Sequence, residues 1–282
     1  MCNTIFTVTG CTRCKIVKAF MKETGIAFVE KDIKAEGKDE FQQFYTSNRK
    51  NIYRGADGIE FPIFTDGNII RQGIGPVLAY LYSGEKLDGY FSVGTLHREW
   101  VDGIHISSGN PGYAEDFLAV LRYLKGNSMK LKLDTDGRNS YILQMVLDQN
   151  LADHVVMNVL GPPELYSRIL GEDVDLQDIE KTISLVPQFP EYQFQTTIVP
   201  VIRHNREPAD ISYMTPEEIA LTASFIEKVT GSKKHPYLIR MFQPREAGDN
   251  RLKSLEAIDP KLLFTYRTAA RSFQVFADLE RQ

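Results

Sequence analysis

From Trp100 to the C terminus, short β-rich runs alternate with segments whose apolar residues recur at helical spacing. Residues 101–107, 130–134, 154–160, 194–202 and 237–242 read as strands. Residues 115–125, 140–149, 176–186, Pro216–Thr230 and 260–279 read as helices. In 115–125, Phe117, Leu118, Leu121 and Leu124 share one side, and Thr215 with Glu217 and Glu218 marks the start of the helix at Pro216. Each helix then has to carry the chain back to the same end of a sheet. The expectation for 100–282 is an α/β fold, an incomplete (β/α) barrel of about five parallel strands ending in one long helix.

Ligands of such sheets bind where loops leave the C-terminal strand ends. Those ends read Ser107-Ser108-Gly109-Asn110-Pro111, Asp134-Thr135-Asp136-Gly137, Asn158 and Arg203-His204. The candidate pocket residues are therefore Ser108, Gly109, Asn110, Asp134, Asp136, Asn158 and Arg203. The same runs are also ordinary turn and helix-cap signals, so a purely structural role stays open. The five histidines are scattered and none stands at ligand spacing with another, so no metal site is expected from them.

Ahead of this region, residues 1–88 read β-α-β-α-β-β-α, with Asp66-Gly67 as a hairpin turn and Gly75-Pro76 opening the last helix. Residues 89–99 read as a linker. Cys11 and Cys14 stand C-x-x-C at the start of the first helix. The free N–H groups and dipole there favour a thiolate at Cys11, with Arg13 and Lys15 adding positive charge and Cys14 as resolving thiol. Cys2 is a third candidate thiol near the N terminus, but a soft tetrahedral metal site wants four ligands.

The C-x-x-C after strand one and Phe61-Pro62 before strand three make residues 1–88 resemble glutaredoxin and the wider thioredoxin superfamily. The resemblance implies a thioredoxin fold, a cis Pro62, catalytic Cys11 and Cys14, and substrate contacts from Thr12, Arg13, Phe61 and Pro62. Thr12-Arg13 replaces the usual Pro-Tyr, and the Gly-Gly-acidic cluster that grips glutathione is replaced by Gln72-Gly73-Ile74-Gly75-Pro76.

Residues 100–245 resemble radical S-adenosylmethionine enzymes of the glycyl-radical activase type. Ser108-Gly109-Asn110-Pro111 stands for Gly-Gly-Glu-Pro, and Leu133-Asp134-Thr135-Asp136-Gly137 for Leu-Asp-Thr-Asn-Gly. Ala152 to Asn158 follows the family's Thr-Asp-Leu-Val-Met-Leu-Asp. The C-x3-C-x2-C motif of the iron–sulfur cluster is absent, since no cysteine follows Cys14, and Asn110 replaces a carboxylate.

A net charge of −4 and the lack of a long apolar run argue against nucleic-acid or membrane partners, and three cysteines against a secreted disulfide framework. The leading expectation is a cytoplasmic thiol–disulfide oxidoreductase acting on a protein disulfide or coupled to the cluster-less activase-like barrel, with a protein disulfide substrate or a reductase as partner and without radical chemistry. The alternatives are a non-catalytic binding or scaffold protein and an inter-chain iron–sulfur protein. No cofactor is required by the leading reading; glutathione, S-adenosylmethionine or an iron–sulfur cluster are the candidates, and the oligomeric state is open.

Overall fold

Apolar residues at period two and at helical period give this chain its elements, and the computed structural model describes residues 3–204, 210–246, 250–253 and 255–280. They form two compact units, residues 1–133 with 145–153, and residues 134–144 with 154–282.

The first unit begins with β1 (Thr4–Thr7), α1 (Thr12–Glu23), β2 (Val29–Asp32), α2 (Lys38–Asn48), a short hairpin of β3 (Arg54–Gly55) and β4 (Gly58–Ile59), β5 (Ile63–Thr65), β6 (Ile70–Gln72) and α3 (Ile74–Ser83). Its four-stranded sheet has the order β2-β1-β5-β6. β1 runs parallel to β2 and antiparallel to β5, which pairs antiparallel with β6. α1 buries Ile16, Val17, Phe20 and Met21. On the other flank, Phe41, Phe44 and Tyr45 of α2 pack on Phe6, Ile52 and Ile63.

Residues 89–99 are not the expected linker. Phe91 bridges Ile104, and Ser92 donates its N–H to Gly103. The Asp102 carboxylate accepts from the N–H groups of Thr95 and Leu96 and from the Thr95 hydroxyl. The segment thus folds back along β7 (Trp100–His105), which precedes α4 (Ala114–Gly126). Tyr90 is fully buried and stacks on Phe117 of α4 with centroids 4.3 Å apart, while Phe20 meets Tyr123 edge-on at 5.0 Å. The Tyr90–Phe117 stack packs the segment on α4, and the Phe20–Tyr123 contact joins α4 to α1 of the same unit.

The chain goes on through β8 (Lys130–Thr135), α5 (Ser140–Asp148), β9 (His154–Asn158), α6 (Pro163–Leu170), α7 (Leu176–Leu185), β10 (Glu191–Ile198), β11 (Pro200–His204), β12 (Asp210–Tyr213), α8 (Pro216–Thr230), β13 (Tyr237–Met241), α9 (Asn250–Lys253), α10 (Leu263–Arg271) and β14 (Ala277–Leu279). Strands β7 to β10, β13 and β14 form a six-stranded sheet in the order β14-β13-β10-β9-β8-β7, against about five expected. Pairs β9–β10, β10–β13 and β13–β14 are parallel.

Two strand and helix expectations are corrected here. The run 194–202 is not one strand: it breaks at Val199, and Pro200, which has no N–H for a central ladder, opens β11 of a separate hairpin with β12. The helix expected over 260–279 stops at Arg271. There the Gln274 side chain accepts from His235 N–H and donates to the Ser232 carbonyl, and Val275 N–H bonds the Lys233 carbonyl. These bonds turn the chain into the sixth strand, β14. Among the described residues no helix is long and apolar enough to cross a membrane.

Candidate functional site

Cys11 is the N-cap of α1, and its sulfur accepts the N–H of Cys14 at 3.0 Å. The two cysteines are joined in a disulfide with Cα atoms 5.3 Å apart. Cys14 is buried and Cys11 is partly exposed. The disulfide opens onto a cleft lined by Val8, Thr12, Phe61, His97 and Arg98 among others. The Phe61–Pro62 peptide beside it is cis, and the Pro62 carbonyl accepts from Gly73 N–H. Cys2 lies outside the described residues.

Thr12 is exposed at the mouth of that cleft, whereas Arg13 is not an exposed active-site cation. It lies on the buried face of α1 with Ile16, Val17 and Phe20, and is only 8% exposed. Its guanidinium pairs with the Glu60 carboxylate and donates to the carbonyls of Leu96 and Trp100. Its charge is neutralised in place and serves the architecture around the start of β7.

The strand-end residues are likewise drawn into local structure. The Asn110 side chain accepts from Gly112 N–H, forming the cap of its own turn. Gly109 lies against the Tyr90 ring, where a Cβ would come within 2.3 Å of ring carbons, and Tyr90 donates its hydroxyl to the Asn110 carbonyl. The Ser108 carbonyl lies against Gly89, where φ is +91° and a Cβ would approach within 2.4 Å. The Ser108-Gly109-Asn110 turn is therefore packed tightly inside the first unit.

In the second unit, Asp136 forms an ion pair with Arg138 at 2.6 Å, and Arg138 reaches Glu172 as well. Thr135 accepts from Gly137 N–H, and Thr182 donates to the Gly137 carbonyl. The Asp178 carboxylate caps the start of α5 through the N–H groups of Asn139 and Ser140. The Asn158 amide oxygen accepts from Gln195. Arg203 pairs with Glu218, whose carboxylate also accepts from Thr215 N–H in the capping box of α8. Burial raises the Glu218 carboxyl, and the bonds from Arg203 and Thr215 more than reverse this, so that it ends below the usual range. Asp134 has interactions of its own.

Arg138, Asp178 and Gln195 are the residues that sequence reasoning passes over, and Glu218 is read there only as a helix-start residue. Only Arg138, two positions from Asp136, stands close enough in sequence to be suspected.

No protein-family model matches the chain. A curated protein of Methanocaldococcus jannaschii, provisionally named a glycyl-radical enzyme activating enzyme, is 26% identical over 163 residues, which cover 55% of this chain and 61% of that protein. The chain thus matches less than two thirds of that relative's length. Among solved structures, a domain of pyruvate-formate lyase-activating enzyme from Bacteroides vulgatus overlays with a TM-score of 0.44 at 15% identity, covering 64% of this chain and all of that one. Coproporphyrinogen III oxidase of Escherichia coli, described as a radical SAM enzyme, overlays with a TM-score of 0.41 at 14% identity, covering 61% and 41%. Both overlays cover only part of this chain.

The sequence relative overturns the expected function. Its name places the likeness with glycyl-radical enzyme activation, not with a thiol–disulfide oxidoreductase, a scaffold protein or an inter-chain cluster protein. The expectation that radical chemistry has no part is corrected by the same match, and so is that of a reductase as partner.

Proposed function

We propose that this chain takes part in the activation of a glycyl-radical protein, with that protein as its macromolecular partner. The observation that carries the reading is the 163-residue match to a relative named for that activity. The parallel pairing of β9, β10, β13 and β14 supports an activase-like partial barrel, with Asp134, Asp136 and Asn158 at its strand ends as the ligand-side residues; Ser108, Gly109 and Asn110 are packed within the first unit and Arg203 lies in the β11–β12 hairpin. The β2-β1-β5-β6 sheet, the cis Pro62 and the Cys11–Cys14 disulfide support a thioredoxin-like fold over residues 1–88. In that fold Cys11 and Cys14 are a reversible redox pair, flanked by Thr12, Phe61 and Pro62.

S-adenosylmethionine and an iron–sulfur cluster belong to this reading through the activase resemblance. The chain's own donors do not fit a cysteine-held cluster. Its three cysteines are Cys2, Cys11 and Cys14, the last two joined to each other, and among the described residues no three His, Cys, Asp or Glu side chains are grouped to hold a metal ion. Asn110, where the family has a carboxylate, already accepts from its own turn. The residues present therefore assign no step to either group. The reading is tested by measuring binding of the purified chain to each glycyl-radical-type protein of its own genome by calorimetry. Saturable binding to one of them is expected; no binding to any would overturn it.

A further inference from the structure

Arg13 sits inside the ring that the Cys11–Cys14 disulfide closes, and all its guanidinium bonds reach outside the helix. It pairs with Glu60, one residue before the cis Phe61–Pro62 peptide, and it donates to the carbonyls of Leu96 and Trp100. The segment between those carbonyls is also tied at other points near both ends. Asp102 holds Thr95 and Leu96, Trp100 N–H bonds the His97 carbonyl, and the half-exposed His97 meets Asp57 at 3.2 Å. Lys130 N–H bonds the Glu99 carbonyl at 2.7 Å, so residues 97 and 98 lie between the Asp102 and Lys130 anchors, with the Arg13 arm on the carbonyls at either side.

The base of that arm is the first turn of α1. Besides the disulfide and the bonds within α1 itself, this turn is held by Lys15 N–H on the Cys11 carbonyl at 3.2 Å and by Cys14 N–H on the Cys11 sulfur at 3.0 Å. First turns of helices lack partners for most of their N–H groups and fray readily. The covalent ring removes that freedom in the oxidised state. Cys11 is the half of the pair that faces the cleft, so a thiolate can reach it.

We infer that the Cys11–Cys14 disulfide is a redox latch, which through Arg13 fixes residues 96–100 and releases them when it is reduced. The reductant is a dithiol. It supplies two electrons and two protons, the Sγ–Sγ bond breaks, Cys11 and Cys14 become thiols, and the reductant closes its own disulfide. Nothing is transferred to another substrate; the response is a change in this chain's own segment. The inference rests on the reading of Cys11 and Cys14 as a reversible pair, and it does not depend on which protein the chain activates.

The test is amide hydrogen exchange on the full chain, oxidised and after treatment with dithiothreitol, with alkylation of the thiols counted by mass in parallel. Reduction is expected to add two alkylatable thiols and to speed exchange across 96–100 by about threefold or more, with 117–124 of α4 unchanged. In Arg13→Ala the segment should exchange fast in both states, so that reduction adds nothing. Two new thiols with unchanged exchange at 96–100 would overturn the latch while leaving the pair reversible. Failure of dithiothreitol to open the pair would overturn both.

Discussion

Replacing Arg13 by alanine probes the most heavily buried ion pair at the N-terminal cleft. The Arg13 and Glu60 side chains are 10% and 15% exposed. Removing the guanidinium leaves the Glu60 carboxylate without its counter-charge and takes a donor from two carbonyls at once. Breaking one half of a buried pair costs about 3–5 kcal/mol, and the residual water access of Glu60 argues for the lower end, about 3 kcal/mol. At about 2–4 °C per kcal/mol for a domain of this size, the melting transition of the first unit should fall by about 6–12 °C. Glu60→Gln, which keeps an acceptor for Arg13, should cost less. The double variant Arg13→Met with Glu60→Leu should recover much of the loss, because two apolar groups leave no stranded charge. Urea titration followed by circular dichroism gives the three values. A loss below about 1 kcal/mol for Arg13→Ala, or a double variant no more stable than Arg13→Ala, would refute the assignment of a coupled buried pair.

Two further perturbations follow from the same geometry. His235 is buried between the Tyr192 hydroxyl at 2.9 Å and the Thr230 hydroxyl at 2.8 Å, and burial pushes its pKa below 6.5. Above 6.5 it is neutral folded or unfolded; below, the unfolded chain takes up a proton that the folded chain does not, so stability should fall as pH drops from 6.5 towards about 5. Melting curves across that range should show the fall, and His235→Gln should remove its share of the slope. Gly109→Ala drives a methyl group into the buried Tyr90 ring and should destabilise the first unit by about 1–3 kcal/mol, read in urea titration; a neutral result would contradict the packing of that turn.

The parts of the fold legible in the sequence are those whose signals are local. Helix α8 begins and ends where Pro216 and Gly231 indicate, because Thr215 and Glu218 complete a capping box within four residues. The apolar runs mark the strand cores of β7 to β10 and β13. What escapes depends on distant partners. Residues 89–99 look polar and Gly-rich, yet they are ordered by the Asp102 carboxylate and by Tyr90 and Phe91 against Phe117. The end of α10 is set by Gln274 meeting residues some forty positions away.

At the candidate sites the residue types are readable but their engagement is not. Asp136, Asn158 and Arg203 are met by Arg138, Gln195 and Glu218, of which the last two stand fifteen or more positions away. Arg13 carries a usable signal. Its spacing to Ile16, Val17 and Phe20 puts it on the buried face of α1, and this outweighs its place inside the C-x-x-C motif. The residues alone point to the wrong function because the chemistry-bearing cysteines lie in the first fourteen positions, while the telling likeness is spread thinly over a much longer stretch.

Service in glycyl-radical activation requires a physical complex, read most directly by size-exclusion chromatography with light scattering of the full chain mixed with each glycyl-radical-type protein of the same genome. A co-eluting complex with one of them is expected. Separate elution of the chain from every protein tried would contradict the proposed role.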